Sequence, residues 1–200
     1  MPPPHVPEIR LHLADEAYEL WHRTEDELQS LGLPLPFWAF AWAGGQALAR
    51  YVLDHPERVA GKRVLSFAAG SGLEAIAAAI AGAAHVTATD IDPFALVAMG
   101  LNAEANGVSF AASAADVLDD PPAGYDVLLL GDVFYEAPMA ERVLAWGLRE
   151  AEAGRDVLIG DPGRSYLPKS RLVKVAEYMV PTTRALEDAE VKRTSVWRLA

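Results

Sequence analysis

The chain has no cysteine, which excludes a disulfide framework, a thiolate nucleophile and any cysteine metal site. Its five histidines, His5, His12, His22, His55 and His85, form no pair at helical spacing, so no metal is expected. Basic residues are scarce: 17 Lys and Arg stand against 28 Asp and Glu, a formal charge of −11. That balance repels a polyanion unless a local basic patch intervenes, so no nucleic-acid partner is expected and basic substrates are favoured. Long hydrophobic runs are missing as well. The longest, Ala75 to Ala84, is too short and alanine-rich to span a membrane, and no membrane partner is expected. The opening residues, MPPPHVPEIR, match neither a signal peptide nor an Arg/Ser-rich transit helix, so the cytoplasm is the expected compartment. What remains is 200 residues, 52% hydrophobic and 22% charged, long enough for one globular domain with a large core.

The stretch around which the rest is organised is Val64 to Asp90, VLSFAAGSGLEAIAAAIAGAAHVTATD. A strand-like run turns through Gly70-Ser71-Gly72 into an alanine-rich helix, and a second β-branched run ends on Asp90. In nucleotide and nucleoside binders such an acid lies about 20 residues after the glycines and accepts hydrogen bonds from ribose hydroxyls. Glycine suits the turn because a Cβ would block a ligand from the backbone. An NAD site would want a third glycine where Ala75 stands, and a P-loop would want Gly-Lys-Ser/Thr, which is absent. With two glycines and no nearby cation for a pyrophosphate, a ligand without phosphates is favoured. S-adenosylmethionine (SAM) fits, with an adenosine for Asp90 and a zwitterionic tail for the loop amides. The alternative is an ordinary α/β turn with a stray Asp.

Along the chain, Glu8 to Leu13 alternates like a short strand, and Asp15 caps a polar helix running to about Leu31. PLPFWAFAWAGGQ, Pro34 to Gln46, reads as an aromatic loop before a helix over Gly45 to Leu53. Helices are expected from Pro93 to Asn106, Met139 to Ala153 and Leu167 to Met179. Strands are expected at Val108 to Ala111, Tyr125 to Leu130, Val157 to Gly160, Thr182 to Leu186 and Val191 to Leu199. Strands alternating with helices predict an α/β fold with a mostly parallel sheet, and ligands sit at the carboxyl ends of its strands. Asp90, Asp116, Asp132 and Asp161 all fall at such tips, although any one of them could simply cap a loop.

The succession AAGSG, TDID, AADV and GDVFYE resembles the seven-strand SAM-dependent methyltransferases, and Asp132 to Tyr135 resembles the D-x-x-Y of those that methylate lysines of non-histone proteins. PEIRL, PFWAFAWAGGQALARYVLD, TDIDPFA, VLIGDPGR and the terminal TSVW are similar to the electron transfer flavoprotein β-subunit lysine methyltransferases over nearly the whole chain. The resemblance implies a Rossmann-like, seven-stranded, mostly parallel sheet in one domain, residues 1–60 forming an extension and lid and 61–200 the core. It implies SAM as cofactor, the flavoprotein β-subunit as substrate and, for related bacterial enzymes, the ribosomal stalk protein. One departure stands out. Where the family's first motif carries an acid and a glycine, this chain has Ser66 and Ala68, and Glu74 or another carboxylate would have to substitute for the acid.

Carried over residue by residue, the resemblance gives Gly70, Gly72 and Ala68 to the SAM tail, Asp90 to the ribose, Ile91 to the adenine face and Asp116 to the adenine amino group. Asp132 docks and aims the lysine ε-amine at the edge of the cofactor site, and Tyr135 lines its pocket. Trp42 borders both cofactor and lysine, while Trp38 is a substrate-site candidate that could equally be core. Asp161 and Arg164 sit at the substrate edge, where Arg164 grips an acidic group beside the target or pairs with Asp161. Phe134 and Trp146 are expected in the core. On this reading Asp132→Ala removes transfer and spares SAM binding. The rival readings are a small-molecule N- or O-methyltransferase on the same fold and a binding module without catalysis.

Overall fold

The computed structural model describes residues 1–14, 27, 35–119 and 121–199. Seven strands form one sheet: β1 (Arg63–Phe67), β2 (His85–Thr89), β3 (Ala111–Ser113), β4 (Val127–Gly131), β5 (Asp156–Asp161), β6 (Leu172–Pro181) and β7 (Val191–Leu199). Their order is β3-β2-β1-β4-β5-β7-β6. The first five are parallel, and β7 runs antiparallel to both its neighbours. The order reverses between β1 and β4, which is where a ligand crevice opens in such sheets.

The middle of the sheet is covered on both faces, as the uninterrupted apolar run in β4 requires. Val127 and Leu129 enter one core with helices α1 (Ala43–Asp54), α2 (Leu73–Ile80) and α3 (Pro93–Ala105). Leu128 and Leu130 enter the other, with Phe134 and Trp146 and helix α4 (Ala137–Glu152). α1 lies very close to the sheet. A Cβ on Gly44 would collide with the Gly160 carbonyl, and one on Gly160 with the Gly44 carbonyl. Glycine on both sides of this contact is what brings the start of α1 onto the tips of β4 and β5.

Three segments differ from the sequence expectation. Glu8 to Leu13 is not a strand. Its alternation holds, with Ile9 and Leu11 fully buried, but the Arg10 and His12 amides find asparagine side chains at the carboxyl end of α3 instead of a neighbouring strand. Arg10 N–H donates to Asn106 Oδ1 at 2.8 Å and His12 N–H to Asn102 Oδ1 at 2.7 Å. Leu167 to Met179 is not a helix: a 3-10 turn at Lys169–Arg171 leads into β6, paired with β7 from Leu172↔Leu199 to Pro181↔Val191. The apolar spacing there fits either state, and β-branched Val173, Val175 and Val180 with a long partner strand decide for the sheet. Thr182 to Leu186 is not a strand; it leads into the short helix α5 (Arg184–Glu187), closed by Asp188 at φ 58°. The third strand begins three residues later than expected, and α1 two residues earlier. The helix expected over Asp15 to Leu31 falls, apart from Glu27, outside the described residues. No helix among the described residues is long and apolar enough to cross a membrane.

Candidate active site

A cavity of about 750 Å³ opens over the carboxyl ends of β1, β2 and β4, within the range of roughly 300–1,000 Å³ typical of small-molecule sites. Its floor starts at the turn after β1. Ala68 at φ 48°, Gly70 at φ 50° and Gly72 at φ 82° all adopt the left-handed conformation. Ala68 therefore occupies a position where glycine would be relaxed. Below the turn, Ser66 is buried and its hydroxyl has no partner among the described residues. The turn is tied to β2 twice: Ala69 N–H donates to Thr89 O at 3.0 Å, and Gly70 N–H to Asp90 Oδ2 at 2.8 Å. Asp90 Oδ1 accepts from Asp92 N–H at 3.0 Å, and Asp92 in turn caps α3 by accepting from Phe94 N–H at 2.8 Å. Each Asp90 oxygen thus keeps a lone pair for a ligand hydroxyl. Burial pushes the Asp90 carboxyl above its ordinary range, although the two amides favour its ionised form.

Further along the floor, Ile91 is 73% exposed at the mouth. Asp116 accepts from Leu118 N–H at 3.1 Å and from Arg142 at 3.2 Å, while Arg142 also reaches Asp119 at 2.8 Å. Gly72 is absent from the cavity wall. A Cβ there would press Met99 at 3.1 Å and Phe110 at 3.4 Å, so this glycine shapes the turn and its packing and does not face the cavity.

The opposite end is built from four separate parts of the chain. Asp132 follows β4 at φ 55°. Its Oδ2 accepts from Gly44 N–H in a short contact and from Gly45 N–H at 3.2 Å, capping α1. Its Oδ1 accepts from Arg164 Nε at 2.8 Å and Nη2 at 2.7 Å. Arg164 also reaches Glu187 on α5 at 2.9 Å, and Glu187 accepts from Ala43 N–H at 3.2 Å. Asp161 shapes the loop that delivers Arg164 by accepting from the Gly163 and Arg164 amides at 2.6 and 2.7 Å; it does not line the cavity. Arg164 therefore pairs with Asp132 and Glu187, and its contact with Asp161 is through the backbone.

Burial pushes Asp132 up to about 6 against the pull of Arg164, so it is mostly ionised at neutral pH. Burial works against the Arg164 charge, but the Asp132 and Glu187 carboxylates hold its pKa above the usual value. Glu74, at the first turn of α2, is pushed up to about 7 by burial, with the like charge of Asp132 adding to the effect.

Aromatic rings wall this end. The Arg164 guanidinium lies 5.8 Å from the Trp42 ring centre, close enough for a cation–π contact. Phe37 bridges Trp42 at 5.9 Å and Tyr135 at 5.7 Å. Trp42 Nε1 donates to Phe37 O at 2.9 Å. Trp38 stacks on Phe94 at 6.4 Å and passes over Gly70. Trp38, Trp42, Ala68, Gly70, Asp90 and Ile91 line the cavity, as do Asp116, Asp132, Tyr135 and Arg164. Sequence reasoning missed Glu187, because it falls in the connection expected between two closing strands, and Arg142, because nothing in α4 marks it. Among the described residues no group of three His, Asp or Glu could hold a metal ion.

Residues 46–130 match the family model described as ribosomal protein L11 methyltransferase (PrmA). The fold is similar to that of magnesium protoporphyrin IX methyltransferase (ChlM) from Synechocystis PCC 6803, solved with bound SAM. The TM-score is 0.55 at 17% identity, over 78% of this chain and 78% of that one. The electron transfer flavoprotein beta subunit lysine methyltransferase of Danio rerio is 37% identical over 199 residues, 96% of this chain and 76% of its own length. The Homo sapiens protein of that name is 36% identical, over 96% of this chain and 74% of its own. The sheet order, with its nucleoside-type turn and acid after β2, defines the class as the Rossmann-like SAM-dependent methyltransferases. Within that class, the likeness over the chain's full length settles the family. The chain belongs to the electron transfer flavoprotein beta subunit lysine methyltransferases.

Proposed function

We propose that this chain is a protein-lysine N-methyltransferase of the cytoplasm acting on the β-subunit of an electron transfer flavoprotein, with residues 1–60 as an N-terminal extension that includes a lid over substrate and cofactor. The observation that carries the reading is the cation already seated in the cavity: Arg164 rests on Asp132 Oδ1 and across Trp42. A lysine ammonium can take the same two contacts in exchange for the guanidinium, while Asp132 Oδ2 stays on α1. The residues at the other end suit SAM, because Asp90 keeps free lone pairs and Gly70 has no side chain to hinder a ligand. When bound, SAM supplies an electrophilic methyl group on a sulfonium.

The chain's own residues would do the rest. Asp90 would hold the ribose, Ile91 and Asp116 the adenine, and the Ala68–Gly70 turn the tail, with Gly72 keeping the turn in shape. Asp132 would orient the amine, Tyr135, Trp42 and Trp38 would line its path, and Asp161 would position the Arg164 loop. A lysine of ordinary pKa about 10.4 must lose its proton before it attacks. The aromatic walls disfavour the ammonium by desolvation whereas Asp132 favours it; Asp132 therefore aims the amine, and the proton leaves to water. Holding the two reactants aligned supplies much of the acceleration. The relatives that match over the whole chain are named for the flavoprotein subunit, so the proposal takes that substrate and not the ribosomal stalk protein.

The test is incubation of the purified chain with radiolabelled SAM and the recombinant flavoprotein, followed by peptide mass spectrometry. Methyl groups on β-subunit lysines are expected. Label confined to small molecules would favour the small-molecule reading, and no transfer with no cofactor binding would favour a non-catalytic module.

A further inference from the structure

Four carboxylates stand around the β4–β5 end of the cavity, and three of them are met by a cation or by amides of other residues: Asp132 and Glu187 by Arg164 and by α1 amides, Asp161 by the amides of its own loop, although Asp161 Oδ2 and Glu187 Oε2 have no partner among the described residues. Glu74 is not. It lines the same cavity at 7% exposure, and its carboxyl fits against two stretches of bare backbone. A Cβ on Gly131 would collide with Glu74 Oε1, and a Cβ on Gly45 would stand 3.1 Å from it. The influences on its proton are burial, then its own backbone N–H, then the like charge of Asp132. No cation is among them, and Arg164 is committed to Asp132 and Glu187. Burying a carboxylate without a cation costs stability, and among the described residues only its own backbone N–H offsets that cost, which points to a partner that arrives with a ligand.

The strand order says which part of the ligand that is. Asp116, Asp90 and Gly70 follow β3, β2 and β1 in spatial sequence, and β4 is next. A nucleoside with its ribose at Asp90 and its base toward Asp116 directs its remaining end past Gly70 to β4, where Glu74 and Gly131 meet. Resting on the SAM reading above, we propose that Glu74 is the acceptor for the α-ammonium group of the SAM methionyl tail. Its carboxyl, whose proton burial holds more tightly than in an exposed glutamate, ionises when the ammonium arrives, and its proton passes to solvent. Asp132, the titratable neighbour that acts on Glu74, stays paired with Arg164 throughout.

Isothermal titration of the full chain at pH 7, in buffers of different ionisation enthalpy, tests this with two probes. S-adenosylhomocysteine carries the ammonium; 5′-deoxy-5′-methylthioadenosine is the same nucleoside without the amino-acid tail. Expected is tighter binding with proton release for the first, and weaker binding without proton release for the second. Glu74→Gln should weaken the first about ten- to hundredfold, abolish the proton release and leave the second unchanged. Asp90→Asn should weaken both. Unaltered affinity of Glu74→Gln for S-adenosylhomocysteine, or equal weakening of both probes, would overturn the assignment while leaving the SAM reading intact. So would equal affinity of the wild type for the two probes, which decides the matter even if the variant does not fold. Failure of the wild type to bind either probe would overturn the SAM reading together with this one.

Discussion

The two ends of the cavity are made in different ways. At the β1–β2 end most of the cavity residues come from one continuous stretch, Ala68 to Asp92, and the Asp90 side chain accepts from two backbone amides. At the β4–β5 end the residues are Ala43, Asp132, Arg164 and Glu187, joined by contacts that span up to 144 positions of sequence, with an arginine cross-linking two carboxylates. A nucleoside can be recognised by a local motif, because one turn and one strand tip are enough to reach a ribose. A site for a mobile cationic side chain needs walls from several elements, and here the same residues that form it also anchor α1 to the sheet. The exposed residues of the first end can therefore be altered without touching the fold, whereas the residues of the second cannot.

The strongest test of that contrast is Asp132→Ala. It should remove methyl transfer and also destabilise the chain by roughly 3–5 kcal/mol, because Arg164 and the α1 amides lose their buried acceptor. Thermal melting beside an activity assay checks this, and an unchanged melting temperature would mean that the Asp132 network is not structural. Next comes Gly131→Ala, whose Cβ would collide with Glu74 and approach Gly45 Cα at 3.1 Å. Overpacking of this kind should cost about 1–3 kcal/mol in denaturant unfolding and weaken S-adenosylhomocysteine binding with it.

A smaller effect follows from pH. The folded-state pKa of Glu74 is raised, from 4.5 to about 7. Between those values the unfolded chain has lost a proton that the folded chain retains, so stability falls as pH rises through this window and levels off above it. The unliganded wild type should lose more stability between pH 5 and pH 7 than Glu74→Gln does, as measured by melting at each pH. The smallest effect belongs to the nucleoside end. Ile91→Ala should change stability by no more than about 0.5 kcal/mol, since the side chain is 73% exposed, while affinity for S-adenosylhomocysteine drops severalfold by titration. A large stability loss from Ile91→Ala would erase the distinction between the two ends.

The same division governs what the sequence revealed. The glycine turn, the acid after β2 and the two-sided apolar run of β4 are local patterns, and each lies where periodicity and turn chemistry put it. The carboxyl-terminal third was misread where its pattern is ambiguous: β6 is a strand only because β7 is there to pair with it. Glu187 enters the site for a reason of the same kind, a short turn of helix that folds back over α1.

By itself the sequence determined the α/β class, the nucleoside turn and the acids at the strand tips, because hydrophobic period, glycine conformation and capping act within a few residues. Only the tertiary structure decided that Arg164 sits on Asp132 and not on the Asp161 side chain, and that Glu74 is left without a cation. Charge pairing and desolvation depend on which distant segments meet, and no pattern along the chain encodes that meeting.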